Sequence, residues 1–319
     1  MSGPGLETLE INGIRMRVAR QGCGPLVLLC HGFPELWYSW RHQLAALAAA
    51  GYGAAAPDMR GYGGTDAPSE LEAYSMLHLV GDMVELVQAL GERQAVIVGH
   101  DWGAMVAWSA ALLRPDLFRG VVGLSVPFSP PARLDPLSAL ERQGIHDFYI
   151  QYFQAPGVAE TELEMNVEAS LRRIYFNGSG DGPDRPAFGL LRAGQGFLAD
   201  MIEPKALPAW LSHDDIAYYV REFSRSGFRG GLNWYRNIKR SWALLAAWRG
   251  CVIRQPSLFI AGARDAVLKF PGSARQIEAF AQTLPALRGC HILEGAGHWI
   301  QQERAEEVSE LLLGFLEGL

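Results

Sequence analysis

Four short apolar runs constrain the fold of this chain more than any other feature of its sequence. Each run is continuous rather than alternating, and a glycine or a proline follows it within two residues. The runs cover residues 25–30, 95–98, 121–126 and 257–261. Strands that are apolar on both sides are typical of a parallel sheet with both faces covered.

Helical patterns lie between these runs. Apolar residues recur at helical spacing over Val80–Leu90 and over Ala305–Leu316. Residues 7–18 instead alternate around Asn12 and Gly13, which predicts a β-hairpin. The alternation of strands and helices predicts a mostly parallel sheet flanked by helices.

The segment 129–249 departs from this alternation. It contains helical patterns and many aromatic residues, but no clear buried strand. Its Gly- and Pro-rich part, Asn177–Gly189, predicts a long loop. We therefore expect a core built from residues 1–128 and 250–319, with residues 129–249 inserted as a helical cap over the carboxyl edge of the sheet.

Composition and charge exclude several classes of partner. The 319 residues carry a net charge of −6, whereas nucleic-acid binders usually present a basic patch. No apolar run approaches the length that spans a bilayer, and the first residues lack the features of a signal peptide. The four cysteines fit neither a disulfide framework nor a zinc site, which indicates free, buried thiols and a cytoplasmic location.

One candidate nucleophile follows the second apolar run. Residues 99–103 read Gly-His-Asp-Trp-Gly, the pattern of a strained strand-to-helix turn that lifts its central side chain above a sheet. Serine is usual at that position, but here it is Asp101. A carboxylate can displace a leaving group at a saturated carbon and form an ester, which points to epoxides or alkyl halides. The alternative is that Asp101 only caps a helix.

Two partners follow Asp101 in the order expected of such a site. Asp265 comes just after the last apolar run, and His298 lies in a Gly-His-Trp segment. His298 would take a proton from water, while Asp265 would hold the imidazole tautomer and stabilise its cation. Residues 126–129 offer no carboxylate after the preceding run, which favours Asp265. His100 is expected to point away and to be structural.

An oxyanion hole requires two backbone N–H groups. Trp102, which follows the nucleophile, would supply one, and Phe33 in the His-Gly-Phe-Pro-Glu segment would supply the other. The same N–H groups would favour the ionised form of Asp101. A cis bond before Pro34 would aim this loop.

At this point the sequence resembles the epoxide hydrolase branch of the α/β-hydrolase superfamily over nearly its whole length. Residues 31–35, 58–63, 99–103 and 297–299 carry the resemblance. It implies an α/β-hydrolase fold with a mostly parallel eight-stranded sheet and an inserted helical cap. It also implies an activity that needs no metal or organic cofactor. Most of these segments are shared with haloalkane dehalogenases, so they do not fix the substrate.

Two tyrosines of the insertion decide between these substrates. In epoxide hydrolases of this type, two such tyrosines bind the epoxide oxygen, and the resemblance of residues 152–157 and 227–237 places them at Tyr149 and Tyr235. An opening epoxide becomes an alkoxide and needs a proton donor, which a halide does not. The alternative is that both tyrosines only pack in the cap with satisfied hydroxyls.

The predicted function is conversion of a small hydrophobic epoxide and water into a vicinal diol through an aspartyl ester. Phe33 stands where dehalogenases typically carry a halide-binding Asn, which counts against a haloalkane or haloacid dehalogenase. A non-catalytic ligand-sensing protein is the other alternative. The oligomeric state stays open, with a homodimer among the options. The predicted substrate-pocket residues are Phe33, Pro34, Trp37, Trp102, Leu268 and Trp299.

Overall fold

An eight-stranded sheet forms the centre of the structure, a computed structural model that describes residues 3–183 and 189–319. In chain order the strands are β1 (Gly5–Ile11), β2 (Ile14–Gln21), β3 (Leu26–Cys30), β4 (Gly53–Pro57), β5 (Ala95–His100), β6 (Phe118–Leu124), β7 (Ser257–Gly262) and β8 (Leu287–Leu293).

The spatial order of the strands is β1-β2-β4-β3-β5-β6-β7-β8. β2 pairs antiparallel with β1 and with β4, and every other pair is parallel. The predicted mostly parallel sheet is therefore confirmed. Because parallel strands end at the same edge, the loops after β3, β5, β6 and β7 meet there.

Helices cover both faces of the sheet and fill the segment between β6 and β7. In chain order they are α1 (Arg41–Ala49), α2 (Met76–Ala89), α3 (Trp102–Leu113), α4 (Pro136–Arg142), α5 (Tyr149–Tyr152), α6 (Val158–Met165), α7 (Val167–Gly178), α8 (His213–Ser226), α9 (Arg229–Arg236), α10 (Ile238–Leu244), α11 (Ser273–Glu278), α12 (Phe280–Thr283), α13 (Ile300–Glu303) and α14 (Ala305–Glu317). Short 3-10 helices span Trp37–Trp40, Leu71–Tyr74, Ala246–Trp248 and Ala266–Lys269.

Two apolar cores explain why the strands are apolar on both sides. Leu28 of β3 packs in the core that contains α2 and α3, whereas its neighbours Val27 and Leu29 pack in the core that contains α1 and α14. All three side chains are buried. Successive strand residues point to opposite faces, so a strand between two cores needs an unbroken apolar run.

The predicted hairpin is present, with Asn12 (φ 48°) and Gly13 (φ 76°) between β1 and β2. α14 matches the predicted last helix, but α2 begins four residues earlier than the predicted Val80, at Met76. The predicted end of the β6 strand, at Val126, is wrong. β6 stops at Leu124 because the next residue, Ser125, takes a positive φ of 71°.

Between β6 and β7 the described residues form the helices α4 to α10 and contribute no strand to the sheet. An isolated antiparallel bridge joins Phe148 to Leu190. The predicted loop begins after Gly178 rather than at Asn177, because α7 extends through Gly178. Residues 184–188 of that predicted loop lie outside the described residues.

The cysteines agree only partly with the prediction. All four are free, but Cys30 alone is buried, and Cys23, Cys251 and Cys290 are exposed. These three lie in loops or on the outer strand of the sheet, where neighbouring elements do not cover them. In the described parts of the chain, no helix has the length and apolar character needed to cross a membrane.

Glycines allow β5 and α3 to approach the end of β3. A Cβ atom on Gly103 would overlap the backbone carbonyls of Cys30 and His31. A Cβ on Gly99 would in turn overlap the carbonyl of Gly103. The turn between β5 and α3 is therefore packed backbone against backbone, which fixes the position of the residue at its centre.

This packing predicts that Gly103→Ala destabilises the fold. We expect the free energy of unfolding to fall by about 1–3 kcal/mol, because a backbone must move to admit the methyl group. The control is Gly314→Ala in α14, where no atom lies within 4 Å of the added Cβ. A helical Gly-to-Ala change there should be neutral or stabilising by up to about 1 kcal/mol. Denaturant unfolding measures both variants, and equal stabilities would contradict the prediction.

Candidate active site

Asp101 occupies the turn between β5 and α3 in a backbone conformation that is rare for an L-residue, with φ 53° and ψ −120°. Such strain costs about 1–3 kcal/mol and concentrates at functional sites. The Phe33 N–H donates to Asp101 Oδ1 at 2.8 Å, and the Trp102 N–H also favours the charged form of the carboxylate. Both predicted oxyanion-hole residues therefore meet at Asp101.

The charge on Asp101 depends on more than these two N–H groups. Burial raises the pKa of Asp101, and His298, His100 and the two N–H groups lower it, with a net upward direction. The expectation that the N–H groups alone would keep Asp101 ionised is therefore incomplete. Among the groups that favour the ionised form of Asp101, the imidazole of His298 lowers its pKa the most.

His298 lies between two carboxylates. Its Nδ1 is 3.1 Å from Asp265 Oδ1, and its Nε2 is 3.7 Å from Asp101 Oδ2. Burial lowers the pKa of His298, but Asp265 and Asp101 outweigh it and raise the pKa to about 9. Burial also opposes ionisation of Asp265, yet His298 and other hydrogen-bond donors hold the pKa of Asp265 below its ordinary value. The predicted acid and histidine are therefore adjacent and form an ion pair at neutral pH.

The backbone around His298 is held by α7 and by Glu303. The His298 N–H donates to the carbonyl of Gly178 at 2.7 Å. The Glu303 carboxylate accepts from the N–H groups of Gly297 at 2.9 Å and Trp299 at 3.0 Å. The loop that carries the imidazole is thus fixed on both sides of His298.

The same helix braces the oxyanion loop. The Phe33–Pro34 bond is cis. The Tyr175 hydroxyl on α7 donates to the Pro34 carbonyl at 2.7 Å, and the Trp299 indole N–H donates to the Tyr175 carbonyl at 2.9 Å. α7 therefore contacts both the loop of Phe33 and Pro34 and the loop of His298.

His100 is buried beneath the site and points away from the cavity, as predicted. Its Nδ1 is 2.7 Å from Glu35 Oε2, and its Nε2 is 2.7 Å from the His298 carbonyl. Glu35, a residue that the sequence reasoning missed, also accepts from Gln301 at 2.9 Å. A carboxylate directly after the oxyanion loop and before Leu36 and Trp37 was the only signal available in the sequence.

Tyr149 begins α5, and Tyr235 lies near the end of α9. Their ring centres are 6.0 Å apart, and Gln154 Nε2 donates to the Tyr235 carbonyl at 3.1 Å. Burial raises the pKa of both tyrosines, and the charge of Asp101 raises it further. Both hydroxyls are therefore neutral hydrogen-bond donors at physiological pH.

These side chains surround one cavity, which with its mouth encloses about 800 Å³. Asp101, His298, Asp265, Tyr149 and Tyr235 all contribute to its lining. The rest of the lining is largely apolar and includes Phe153, Ile174, Phe197, Val267 and Phe270. Such a cavity suits a hydrophobic ligand with one polar group at the carboxylate.

Three of the six predicted pocket residues line this cavity, namely Phe33, Pro34 and Trp299, and the other three do not. The Trp37 indole instead donates to the Tyr218 hydroxyl. The Trp102 ring packs edge-on against Tyr235 at 5.0 Å, and Leu268 packs against the large core. Proximity in sequence was misleading because neighbouring side chains in helical and turn segments point in different directions.

Comparison with known proteins identifies the family. Residues 25–173 match the family described as alpha/beta hydrolase fold. Epoxide hydrolase A of Mycobacterium tuberculosis is 46% identical over 323 residues, which cover 100% of this chain and 99% of that protein. The chain belongs to the epoxide hydrolases. Epoxide hydrolase 1 of Siraitia grosvenorii is also similar to this epoxide hydrolase, with 43% identity over 314 residues and 97% coverage of each chain.

Solved structures agree with this assignment. An epoxide hydrolase from an endophytic Streptomyces superposes on this epoxide hydrolase with a TM-score of 0.95 at 48% identity, covering 100% of this chain and 96% of that one. Epoxide hydrolase A from Mycobacterium thermoresistibile gives a TM-score of 0.93 at 46% identity, with 99% of each chain covered. The predicted α/β-hydrolase fold and the predicted family are confirmed. In the part of the chain that the structure describes, no cluster of His, Cys, Asp or Glu could hold a metal ion.

The raised pKa of His298 predicts a specific pH dependence of stability. The folded pKa of about 9 lies above the ordinary 6.5, so the contribution of the imidazolium is complete below 6.5 and is lost as the pH rises through 9. We expect the free energy of unfolding to fall by about 3 kcal/mol over that window relative to His298→Gln, which carries no titrating group there. Denaturant unfolding at several pH values measures both proteins. A difference that does not change with pH would contradict the prediction.

Proposed function

We propose that this epoxide hydrolase opens a hydrophobic epoxide by forming an ester on Asp101, which water then cleaves to release a vicinal diol. The observation that carries the proposal is the convergence of one strained carboxylate, one imidazole and two neutral tyrosines on a single apolar cavity. Each group has the chemistry that one step requires.

In the first half of the reaction, Asp101 Oδ2 attacks an epoxide carbon. The Phe33 N–H holds Oδ1, which becomes the carbonyl oxygen of the ester. A new bond forms between Oδ2 and carbon while the carbon–oxygen bond of the ring breaks. Tyr149 or Tyr235 donates its phenolic proton to the departing oxygen, which prevents a free alkoxide from forming in an apolar cavity.

Ester formation changes the proton affinity of His298. In the resting enzyme the proton stays on His298, because two carboxylates lie near the imidazole. Esterification removes the charge of Asp101 and therefore lowers the pKa of His298. The tyrosinate left by the first step takes this proton, directly or through water, so that His298 becomes a neutral base.

In the second half, water attacks the ester carbonyl. His298 Nε2 takes the proton of the water, and the N–H groups of Phe33 and Trp102 stabilise the oxyanion that forms on Oδ1. The distance of 3.7 Å between Nε2 and Asp101 Oδ2 is too long for a direct hydrogen bond and leaves the nitrogen available for water. The alcohol oxygen leaves with the proton of the new Asp101 carboxyl group. Asp101 is then again a carboxylate and His298 again an imidazolium, as in the resting enzyme.

Dehalogenation is disfavoured by the same contacts. A departing halide needs N–H donors that are directed at it. The Phe33 side chain has none, and the Trp102 ring packs edge-on against Tyr235 at 5.0 Å and does not line the cavity. The cavity therefore presents the hydroxyls of Tyr149 and Tyr235 to a departing group, rather than side-chain N–H donors.

The origin of the new diol oxygen tests the ester route. With enzyme in excess over a styrene-type epoxide in heavy-oxygen water, we expect the first-turnover diol to contain no solvent oxygen, because its new oxygen comes from Asp101. The label should appear in the peptide that contains Asp101. Mass spectrometry of the diol and of the peptide measures both. Label in the first-turnover diol would rule out the ester.

Removal of the two phenolic hydroxyls tests the acid step. We expect the double substitution Tyr149→Phe and Tyr235→Phe to lower the rate of ring opening by at least about 10²-fold, because both proposed donors of the proton to the departing oxygen are removed. The control is Tyr152→Phe on the same helix, since the Tyr152 hydroxyl bonds to Glu162 at 3.0 Å and does not line the cavity. Single-turnover kinetics measures each variant. Ring opening by the double variant at the control rate would reject the role of the tyrosines.

A further inference from the structure

β6 ends in a strained turn that the reaction scheme leaves unexplained. The Val126 N–H donates to the Leu124 carbonyl at 2.8 Å, which closes a γ-turn centred on Ser125 with φ 71°. γ-Turns with positive φ are rare and strained. Over residues 3–183 and 189–319, the other non-glycine residues with positive φ are Asn12 in the hairpin and the nucleophile Asp101. The strained backbone of Ser125 therefore also requires an explanation.

The contacts of the Ser125 side chain explain this conformation. Ser125 is fully buried, and its Oγ lies 2.5 Å from Asp265 Oδ2 and 2.9 Å from His298 Nδ1. An ionised carboxylate can only accept hydrogen bonds, so the hydroxyl donates to Asp265. The hydroxyl oxygen then faces His298 as an acceptor, which requires the proton on Nδ1 and leaves Nε2 to exchange protons with water.

The backbone ties this hydroxyl to the strand that carries the acid. The Ser125 N–H donates to the carbonyl of Ile260 in β7 at 2.9 Å. Asp265 follows β7, and its Oδ1 accepts from the Val267 N–H at 2.9 Å. One carboxylate oxygen is thus held by the backbone and the other by Ser125. Without the hydroxyl, Oδ2 would lose its shortest hydrogen bond, and the carboxylate could rotate away from Nδ1.

We infer that Ser125 is a positioning residue for the hydrolysis half of the reaction, in which it aligns Asp265 with His298 and fixes the imidazole tautomer. The inference rests on the proposed ester mechanism. A turn that served only the fold would be less strained with glycine, as at Gly13 in the hairpin. The fold instead places a serine there, and the hydroxyl is what glycine lacks.

Ser125→Gly separates the two roles, because it removes the hydroxyl and relieves the backbone strain together. We expect it to fold with a melting temperature above that of Ser125→Ala, because both variants lose the hydroxyl but only Ser125→Gly relieves the strain. The rate of ester formation should stay within about two-fold, and hydrolysis of the ester should slow by about 10- to 100-fold, the effect of a lost hydrogen bond to a charged group. Rapid-quench mass spectrometry of the Asp101 peptide follows both steps, and the ester should accumulate.

Two further variants complete the test. Ser125→Ala keeps the strain and loses the hydroxyl, so we expect the same slow hydrolysis at a lower melting temperature. Ser129→Ala is the matched control in the same loop, where the exposed hydroxyl bonds to the adjacent Pro130 carbonyl at 3.4 Å, and it should behave as the wild type. A Ser125→Gly protein that hydrolyses the ester at the wild-type rate, slows both steps equally or fails to fold would overturn the inference. Absence of any ester in the wild type would instead reject the proposed mechanism.

Discussion

Asp101 keeps its left-handed backbone because glycines on three sides let the surrounding chain approach more closely than any side chain would allow. Gly99 and Gly103 bring α3 against the end of β3, and a Cβ on Gly32 would overlap the Asp101 side chain. That closeness lets the Phe33 N–H reach the carboxylate. The position of the Asp101 carboxylate and its contact with the Phe33 N–H are therefore consequences of one steric arrangement.

The second constraint is electrostatic. Glu35, Asp101 and Asp265 are three carboxylates that lie with two imidazoles in a region of little solvent, where an unpaired charge would be expensive. His298 lies between Asp101 and Asp265, and its carbonyl joins it to His100 and Glu35. Because the imidazole is shared, the loss of one carboxylate charge in the proposed reaction would alter the basicity of His298. The proposed catalysis and the charge balance of the buried site thus use the same atoms.

Much of this architecture was predictable from the sequence, and the exceptions have physical causes. The unbroken apolar runs predicted the parallel sheet, because strands between two cores cannot alternate. The meeting of Asp101, Asp265 and His298 at one cavity was predictable from residue type and chain order. Ser125 was not, because a serine carries no local signal for positive φ and its partners come from distant strands. Trp37 and Leu268 were misplaced since proximity in sequence does not determine which way a side chain points.

α7 connects the helices between β6 and β7 to the loops that carry Pro34 and His298. Tyr175 holds the carbonyl of Pro34, and the carbonyl of Gly178 holds the backbone of His298. The insertion is for this reason not an interchangeable module. A chimaera that took all the helices between β6 and β7 from a relative would also replace the supports of the loops that carry Phe33 and His298, so we expect its turnover to change along with its substrate range. Phe197 and Phe270 line the cavity from outside α7, so substitutions there would leave these two supports in place.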